Sequence, residues 1–269
     1  MQKPLISLIV AVYKNIDALR LVFQGLERQS FKNFEVIVAE DNNSSEMAEF
    51  IVAQQQKNTF PIKHVSQEDI AFRKCRILNE AITLASGDKI VFLDGDCIPH
   101  RHLLKQYHKI IAKGVFCGGR RVMLSQKLSE RTLKSKNLKY LSFVNCILFG
   151  VEKYLKRSLY LPWLKLKKKT KESYLLGCNM GGEKSDLLAI NGFDEDYQLP
   201  GVGEDLDLDW RLRAYGAKIK AVSYQCVTYH LYHKIIYDIN STEQIKNRAM
   251  MTDKKKAGNW FCINGVKKL

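Results

Sequence analysis

Two carboxylates, Asp94 and Asp96, lie two residues apart in the motif LDGDCIP (93–99). The apolar residues before them predict a strand, and α/β proteins bind ligands beyond the carboxyl ends of their strands. Two acids there are costly without a cation, and Gly95 is expected to let the backbone turn tightly so that both reach one site. Such hard oxygen ligands suit Mg²⁺ or Mn²⁺ with a substrate phosphate. An ordinary strand-to-turn junction is the competing interpretation.

A second acidic motif, GVGEDLDLDW (201–210), has four carboxylates at a predicted helix start: Glu204, Asp205, Asp207 and Asp209. The helix dipole favours negative charge in the first turn, and this is the simpler explanation. It does not account for so many acids in a chain whose net charge is +15. A general base that takes a proton from a hydroxyl is therefore the alternative.

Two more motifs carry residues that could do chemistry. Asp41 follows a predicted strand in VIVAEDNNSS (36–45), where it would contact a nucleotide or cap the next helix, a role for which Ser44 competes. In YHLYH (229–233), His230 and His233 would share a helix face, and either imidazole could complete a divalent-ion site. Single histidines more often pack in the core or lie at the surface, so this motif alone identifies no function.

The elements that must position these side chains alternate over the first hundred residues. Strands are predicted at 5–13, 34–41, 62–67 and 89–96, and helices at 17–30, 45–57 and 73–86. Near-continuously apolar strands between helices indicate a parallel sheet covered on both faces. The fold class is therefore α/β with a Rossmann-like first half. No GxGxxG follows the first predicted strand, so an NAD-type cofactor is disfavoured.

Composition excludes several classes of protein. The chain has 269 residues, of which 46% are hydrophobic and 26% charged, so a fibre or a largely disordered chain is excluded. Its longest apolar stretch, 141–151, is shorter than the ~20 residues of a membrane-spanning helix. The apolar N-terminus lacks a cleavage site and is predicted to be a strand. We therefore expect a reducing compartment, in which the seven cysteines, which include no CxxC pair, are thiols.

Positive charge is concentrated in one segment. Between Lys127 and Lys171 there are thirteen lysines and arginines against two glutamates. Such a segment needs an anionic partner or a solvated surface. Because leucines, tyrosines and a tryptophan are interleaved with these charges, an anionic bilayer is the predicted partner. A groove for an acidic or lipid-linked acceptor and a solvated basic face are the alternatives.

Six motifs taken together resemble one family. In chain order they are PLISLIVAVYKN, FEVIVAEDNNS, QEDIAFRKCRILNEAI, GDKIVFLDGDCIP, GCNMGGEKSDLLAINGFDEDY and GVGED with YHLYH. Their order and spacing resemble the family 2 glycosyltransferases with the GT-A fold, and are similar to the bacterial chondroitin polymerase-like, lipopolysaccharide and capsule sugar transferases. The resemblance covers 1–125 and 173–233. It implies a donor-binding half at 1–125 and an acceptor and catalytic half at 173–233, separated by a basic helical insertion at 126–172 and followed by a basic tail at 234–269.

The resemblance also implies roles for particular residues. Glu204 and Asp205 would be catalytic, with the aspartate as the base, and the metal would be held by Asp96 and His230, although His233 is not distinguished from His230. The nucleotide-sugar would contact the remaining matched positions, of which the first three surround the nucleobase: Val12, Tyr13, Asp41, Arg73, Arg76, Asn79, Asp94 and Gly95. One departure is the loop PGVGED, where relatives commonly have GWGGED, and this leaves the acceptor uncertain.

The implied activity is an inverting transfer of a sugar, dependent on Mn²⁺ or Mg²⁺. The donor would be a UDP-sugar, and the acceptor a hydroxyl of a glycan or glycolipid in surface polysaccharide or lipopolysaccharide synthesis. The expected location is cytoplasmic, peripheral on the inner face of the cell membrane. A nucleotidyltransferase would need a phosphate-binding loop where this chain has AVYKNID. A nucleic-acid-binding module is disfavoured because no reader motif is present and the acids would repel phosphate.

Overall fold

Eleven strands form two sheets in the computed structural model, which describes residues 3–164, 174–199, 203–234, 238 and 240–269. The strands are β1 (Ile6–Val12), β2 (Phe34–Glu40), β3 (Ile62–Ser66), β4 (Lys89–Asp94), β5 (Cys97–Pro99), β6 (Val115–Gly118), β7 (Arg120–Leu124), β8 (Val151–Lys153), β9 (Asn179–Glu183), β10 (Lys218–Ala221) and β11 (Val227–His230). The larger sheet has the order β10-β6-β9-β4-β1-β2-β3. Within it β9 runs antiparallel to β4 and β6, and the other pairs are parallel. The prediction of a mostly parallel α/β sheet is confirmed.

The helices of the described residues are α1 (Ile16–Glu27), α2 (Ser45–Lys57), α3 (Lys74–Leu84), α4 (Leu103–Ile110), α5 (Gln126–Ser135), α6 (Phe143–Phe149), α7 (Lys184–Ala189), α8 (Glu204–Tyr215) and α9 (Thr242–Lys256). They cover both faces of the large sheet. Successive side chains of β1 point to opposite faces, so Leu8 packs in the core on the side of α1, whereas Ile9 packs in the core on the side of α3. None of the helices in the described ranges is both long and apolar enough to cross a membrane.

The smaller sheet has the order β5-β11-β7-β8. Strand β6 joins the larger sheet, whereas the next strand, β7, pairs with β11 of the smaller sheet. The side chain of Asn179 lies at the junction, where its amide nitrogen donates to the carbonyls of Arg120 and Cys226, each at 2.8 Å. A side chain at Gly119 would collide with Asn179. The chain therefore changes sheets at Gly119.

The basic insertion is mainly helical, as predicted. It contains α5, α6, β8 and two 3₁₀ turns at Leu138–Tyr140 and Leu155–Ser158. Leu128 and Cys146 anchor it in the core on the α1 side of the sheet. Lys165, Lys167, Lys168 and Lys169, the most concentrated part of its charge, lie outside the described residues.

The segment predicted as a tail packs against the domain. The Asn191 side-chain amide donates to the carbonyl of Cys262, and its oxygen accepts from the amide of Lys267, both at 2.8 Å. Lys254 forms ion pairs with Asp194 at 2.5 Å and Asp196 at 2.7 Å. All seven cysteines are buried free thiols, as predicted.

Candidate active site

The carboxyl ends of β1 and β2 meet at Asp41. Its backbone amide donates to the carbonyl of Val12 at 3.0 Å. Its buried carboxylate accepts from the Gln67 side chain at 2.5 Å and from the backbone amide of Arg73 at 2.9 Å. Ser44, not Asp41, caps α2, by accepting from the amide of Met47. Val12, Asp41 and Arg73, three of the predicted nucleotide contacts, therefore form one contiguous group.

Tyr13 follows directly after β1 and is exposed. Its hydroxyl donates to Asp69 at 3.3 Å, and Lys14 forms an ion pair with the same carboxylate at 2.5 Å. The Lys14 ammonium also lies over the ring, 4.7 Å from its centre, and the exposed part of the ring offers a surface on which a planar ligand could stack. The nucleobase contact of Tyr13 stays a prediction.

Arg73 and Arg76, two of the predicted nucleotide contacts, lie at the start of α3. Arg73 donates to the carbonyl of Glu68, and Arg76 donates to Glu80 at 3.3 Å. Both arginines line a cavity of about 230 Å³ beside Tyr197.

Asn79 is buried on another face of α3. It donates to the carbonyl of Phe193 at 2.9 Å and accepts from the Phe193 amide at 2.8 Å. These bonds fix the turn at Gly192, where φ is +73°. The structure therefore does not bring Asn79 to the carboxylates of β4, and its contacts are those of a packing residue.

Lys74 is a site residue that the sequence analysis missed. Its ammonium contacts the Asp94 carboxylate at 2.8 Å and lies 3.9 Å from Glu204. Burial would lower the pKa of Lys74, but the charges of Asp94 and Glu204 more than reverse this and raise it, so the ammonium stays charged. The signal was the basic run in FRKCR, but only the helix register shows which of its members faces the acids.

Asp96 lies with two histidines at the junction of the two sheets. Its Oδ2 atom is 3.4 Å from His230 Nε2 and 3.3 Å from His233 Nε2, and the two Nε2 atoms are 3.3 Å apart. The predicted helical pairing of the histidines is wrong, because His230 ends β11 and His233 follows after the strand. Their Nε2 atoms nevertheless meet, and the structure brings both histidines to Asp96 where the resemblance implied His230.

These three side chains fit a divalent ion. Three ligands about 2.1 Å from one ion, at tetrahedral or octahedral angles, are about 3.0–3.4 Å apart, which matches the observed triangle. Asp96 Oδ1 and His230 Nδ1 are buried without a hydrogen-bond partner. Burial favours a raised pKa of Asp96, but the hydrogen bond from His233 is the largest of the effects that hold the pKa below its usual value. Burial lowers the pKa of His230, and a neutral imidazole is the form that binds metal.

Gly95 acts differently from the expectation. It is absent from the residues with positive φ, so its role is not a left-handed turn. Its amide donates to the carbonyl of Ala11 at 2.7 Å, and a Cβ atom there would press on Val12. The glycine therefore allows β1 to approach the loop between Asp94 and Asp96.

Arg121 is a second residue that the sequence analysis did not select. It lies on β7, and burial would lower its pKa, but the neighbouring charges, among them Asp94 and Asp96, raise it. A permanently charged guanidinium beside two carboxylates adds positive potential where a diphosphate would bind.

Glu204 and Asp205 form the first turn of α8, directly after Gly203. At Gly203 φ is +144°, and a side chain would collide with the ring of Tyr197, so glycine is required to start the helix here. Burial, followed by the charge of Asp205, raises the pKa of Glu204 to about 7. Burial also raises the pKa of Asp205, whose carboxylate accepts from the Gly177 amide at 3.3 Å. The loop residues 200–202 lie outside the described residues.

The other two acids of α8 already have partners. Asp207 is fully buried in an ion pair with Arg211 at 2.6 Å. Asp209 pairs with Arg213 at 2.5 Å and accepts from the Leu175 amide at 2.9 Å. Because these contacts occupy them, Glu204 and Asp205 are the acids of α8 that remain for a substrate.

Solved structures share this architecture. The mannosyltransferase PcManGT of Pyrobaculum calidifontis, solved with GDP-Man and Mn²⁺, superposes with a TM-score of 0.59 at 15% identity, over 95% of this chain and 65% of that one. Residues 1–349 of TarS from S. aureus, solved with UDP-GlcNAc, superpose with a TM-score of 0.63 at 14% identity, over 93% of this chain and 66% of that one. At these identities the likeness establishes the GT-A fold.

Sequence comparison gives the family. The validoxylamine A glucosyltransferase of Streptomyces hygroscopicus subsp. jinggangensis is 25% identical over 232 residues, which are 79% of this chain and 52% of that protein. The chain thus spans about half the length of this relative. The model of the N-terminal domain of galactosyltransferase matches residues 157–234, and the model of glycosyl transferase family 2 matches residues 7–180. Because the latter match covers more than half of the chain, the chain belongs to glycosyl transferase family 2.

Proposed function

We propose that the protein transfers a sugar from a UDP-sugar to a hydroxyl of a glycan or lipid-linked acceptor, with inversion at the sugar carbon. The observation that carries the proposal is the position of Lys74, which contacts Asp94 and lies 3.9 Å from Glu204. This ammonium links the strand-end carboxylates, where a donor diphosphate would bind, to the acids of α8. The two halves of a transfer reaction, a leaving group and a proton acceptor, thus adjoin one cationic side chain.

Asp96, His230 and His233 are the residues that would hold a divalent ion, which would neutralise charge on the diphosphate leaving group. A ligand set with two imidazoles favours Mn²⁺ over Mg²⁺, because Mg²⁺ prefers oxygen ligands. Lys74 and Arg121 add fixed positive charge on the donor side.

Asp205 is the proposed base, since it lies in the first turn of α8 with its carboxylate held by the Gly177 amide. It would take the proton of the acceptor hydroxyl as that oxygen attacks the sugar. The described residues place no unpaired carboxylate as a second nucleophile on the donor side. Direct displacement assisted by one base inverts the sugar carbon.

Val12, Tyr13 and Asp41 support a nucleobase site, and we propose uracil as its occupant. The two solved neighbours contain GDP-Man and UDP-GlcNAc respectively, so the fold alone does not select the base. For the acceptor, the charge between Lys127 and Lys171 supports an anionic or membrane-bound molecule. We place the reaction on the cytoplasmic face of the membrane, in the synthesis of a surface glycan.

A panel of nucleotide-sugars tests the activity. We expect slow release of UDP from at least one UDP-sugar in Mn²⁺, no release in EDTA, and no comparable release of GDP from GDP-mannose. Hydrolysis by water is the weak side reaction of a transferase without its acceptor, so this assay needs no knowledge of the acceptor. A binding protein without catalytic activity would release no nucleotide, and that result across the whole panel would refute the proposed function.

The rate should depend on pH through the acidic pair of α8. Since the pKa of Glu204 is about 7, we expect the rate at saturating donor and Mn²⁺ to fall as the pH drops below about 7, because protonation of Glu204 removes a neighbouring negative charge and makes Asp205 a weaker base. The measurement is kcat between pH 5.5 and 8.5. In Glu204→Gln the acidic limb should move to lower pH, because Asp205 loses a neighbouring negative charge. An unmoved limb would assign the titration to His230 and His233, and a flat profile would show that protonation of Glu204 does not control the rate.

A further inference from the structure

Helix α6 in the basic insertion exposes an apolar face. Val144, Ile147 and Leu148 are 62%, 54% and 68% exposed. Their spacing of three and four residues puts them on one side of the helix, and Cys146 on the opposite side is buried in the core. Exposing three large aliphatic side chains to water on two turns of helix is unfavourable in free energy unless another surface covers them.

Basic residues of the insertion contact α6. The guanidinium of Arg131 lies 4.4 Å from the ring of Phe149 at the end of α6. The Asn145 side chain of α6 donates to the carbonyl of Lys139 at 3.0 Å. From Gln126 to Leu164 the chain has eight lysines and arginines against two glutamates. Helix α6 therefore lies in a positively charged segment.

A cavity of about 430 Å³ lies next to this segment. Leu138 and Leu141, which precede α6, contribute to its apolar lining, and Arg28 and Arg101 contribute guanidinium groups. Within the described part of the chain, neither arginine forms an ion pair with a carboxylate.

This cavity is separate from the metal site. Tyr229 of β11 lines the cavity and pairs with Ile98, whereas His230 pairs with Cys97. Adjacent residues of a strand point to opposite faces, so the cavity and the metal ligands lie on opposite sides of β11.

We propose that the apolar face of α6 inserts into an anionic phospholipid bilayer, and that Arg131, Lys139 and the two arginines of the cavity contact its phosphates. Charge complementarity selects this occupant, because an apolar stripe surrounded by cations matches acyl chains beneath anionic headgroups. The inference rests on the proposed function in one respect, since it places a transferase next to a membrane-bound acceptor. The inference assigns membrane binding to one helix face, whereas the composition indicated only the basic segment between Lys127 and Lys171.

Co-sedimentation with vesicles tests the proposal. We expect binding to vesicles of equal parts phosphatidylglycerol and phosphatidylcholine at low salt, weaker binding at 0.5 M salt because of screening, and little binding to pure phosphatidylcholine. The variant with Ile147→Asp and Leu148→Asp should bind at least about tenfold more weakly. Ile245→Asp is the matched control, because Ile245 on α9 is also 54% exposed, and it should bind like the unaltered protein. A second variant, Arg131→Gln with Lys139→Gln, should lose the preference for anionic lipid.

Several results would overturn the proposal. One is the absence of sedimentation at low salt, and another is equal sedimentation of the variant with Ile147→Asp and Leu148→Asp and the Ile245→Asp control. A third is self-association that disappears only in the variant with Ile147→Asp and Leu148→Asp, which would assign the face to a second copy of the chain. UDP release without vesicles, measured on the same samples, separates this outcome from a failure of the proposed function. Both residues are exposed, so the substitutions are expected to leave the thermal unfolding temperature unchanged.

Discussion

Turnover that depends on Mn²⁺ is expected to disappear when Asp96 is replaced by Ala. Asp96 is the only carboxylate in the cluster with His230 and His233 that the described residues form. Its loss removes both a ligand and the negative charge that offsets a cation. We expect the rate of UDP release to fall by roughly 10²–10³-fold or more, with little loss of stability because the Asp96 side chain is partly exposed.

The measurement is a titration of UDP release against Mn²⁺, together with Mn²⁺ binding observed by electron paramagnetic resonance in the presence of UDP. Asp88→Ala is the control, because Asp88 is an exposed carboxylate whose partner is Lys3 at the surface, and it should leave both readouts unchanged. His233→Ala should weaken Mn²⁺ binding if both histidines are ligands. Turnover close to that of the unaltered protein in Asp96→Ala would show that the metal site is wrongly assigned.

Asp205→Asn should abolish transfer while UDP binding persists. Asparagine keeps an oxygen that can accept from the Gly177 amide, but it cannot take a proton from an acceptor. We expect the rate of transfer to fall by roughly 10²–10⁴-fold, with the dissociation constant of UDP changed by less than about threefold. Calorimetry gives the affinity and single-turnover kinetics gives the rate, so the two effects are measured separately.

Asp209→Asn is the matched control, since it makes the same chemical change one turn later on α8. Asp209 pairs with Arg213 and with the Leu175 amide, so its loss should lower the unfolding temperature with little effect on the rate. A larger loss of UDP affinity than of rate in Asp205→Asn would make Asp205 a donor-site residue. Greater sensitivity of the rate at Asp209 would place the base later on the helix.

The hydrophobic periodicity of the sequence was enough to predict most of the helices and strands of the first hundred residues. Strands and helices follow from contacts between residues two to four positions apart, which periodicity reports directly. The predicted helix at 45–57 is α2 at those bounds, and the predicted strand at 62–67 is β3 within one residue. The position of Asp94 at the end of β4 follows in the same way, because an apolar run that ends in an acid is a local feature. The sequence alone also supported the family, since the order of six motifs is a property of the chain.

The pairing of distant residues required the tertiary structure. Asp96 meets His230 because β5 pairs antiparallel with β11 across more than a hundred residues, and no periodicity encodes that register. The choice of Lys74 over Arg73 and Arg76 as the partner of Asp94 depends on how α3 is rotated against the sheet. A helix turns 100° per residue, so an error of one residue in register exchanges the residue that faces the site.

Burial likewise decides which acids of α8 are available. Asp207 and Asp209 are as acidic in the sequence as Glu204 and Asp205, yet buried Arg211 and half-buried Arg213 occupy them. The packing of 240–269 against Asn191 and Asp194 was likewise not predictable, because the composition of a segment gives its charge but not its contacts. The sequence by itself determined the elements, the family and the residue types of the site. Only the tertiary structure decided which of those residues meet, because that depends on strand register, helix rotation and burial, which are set by contacts between distant parts of the chain.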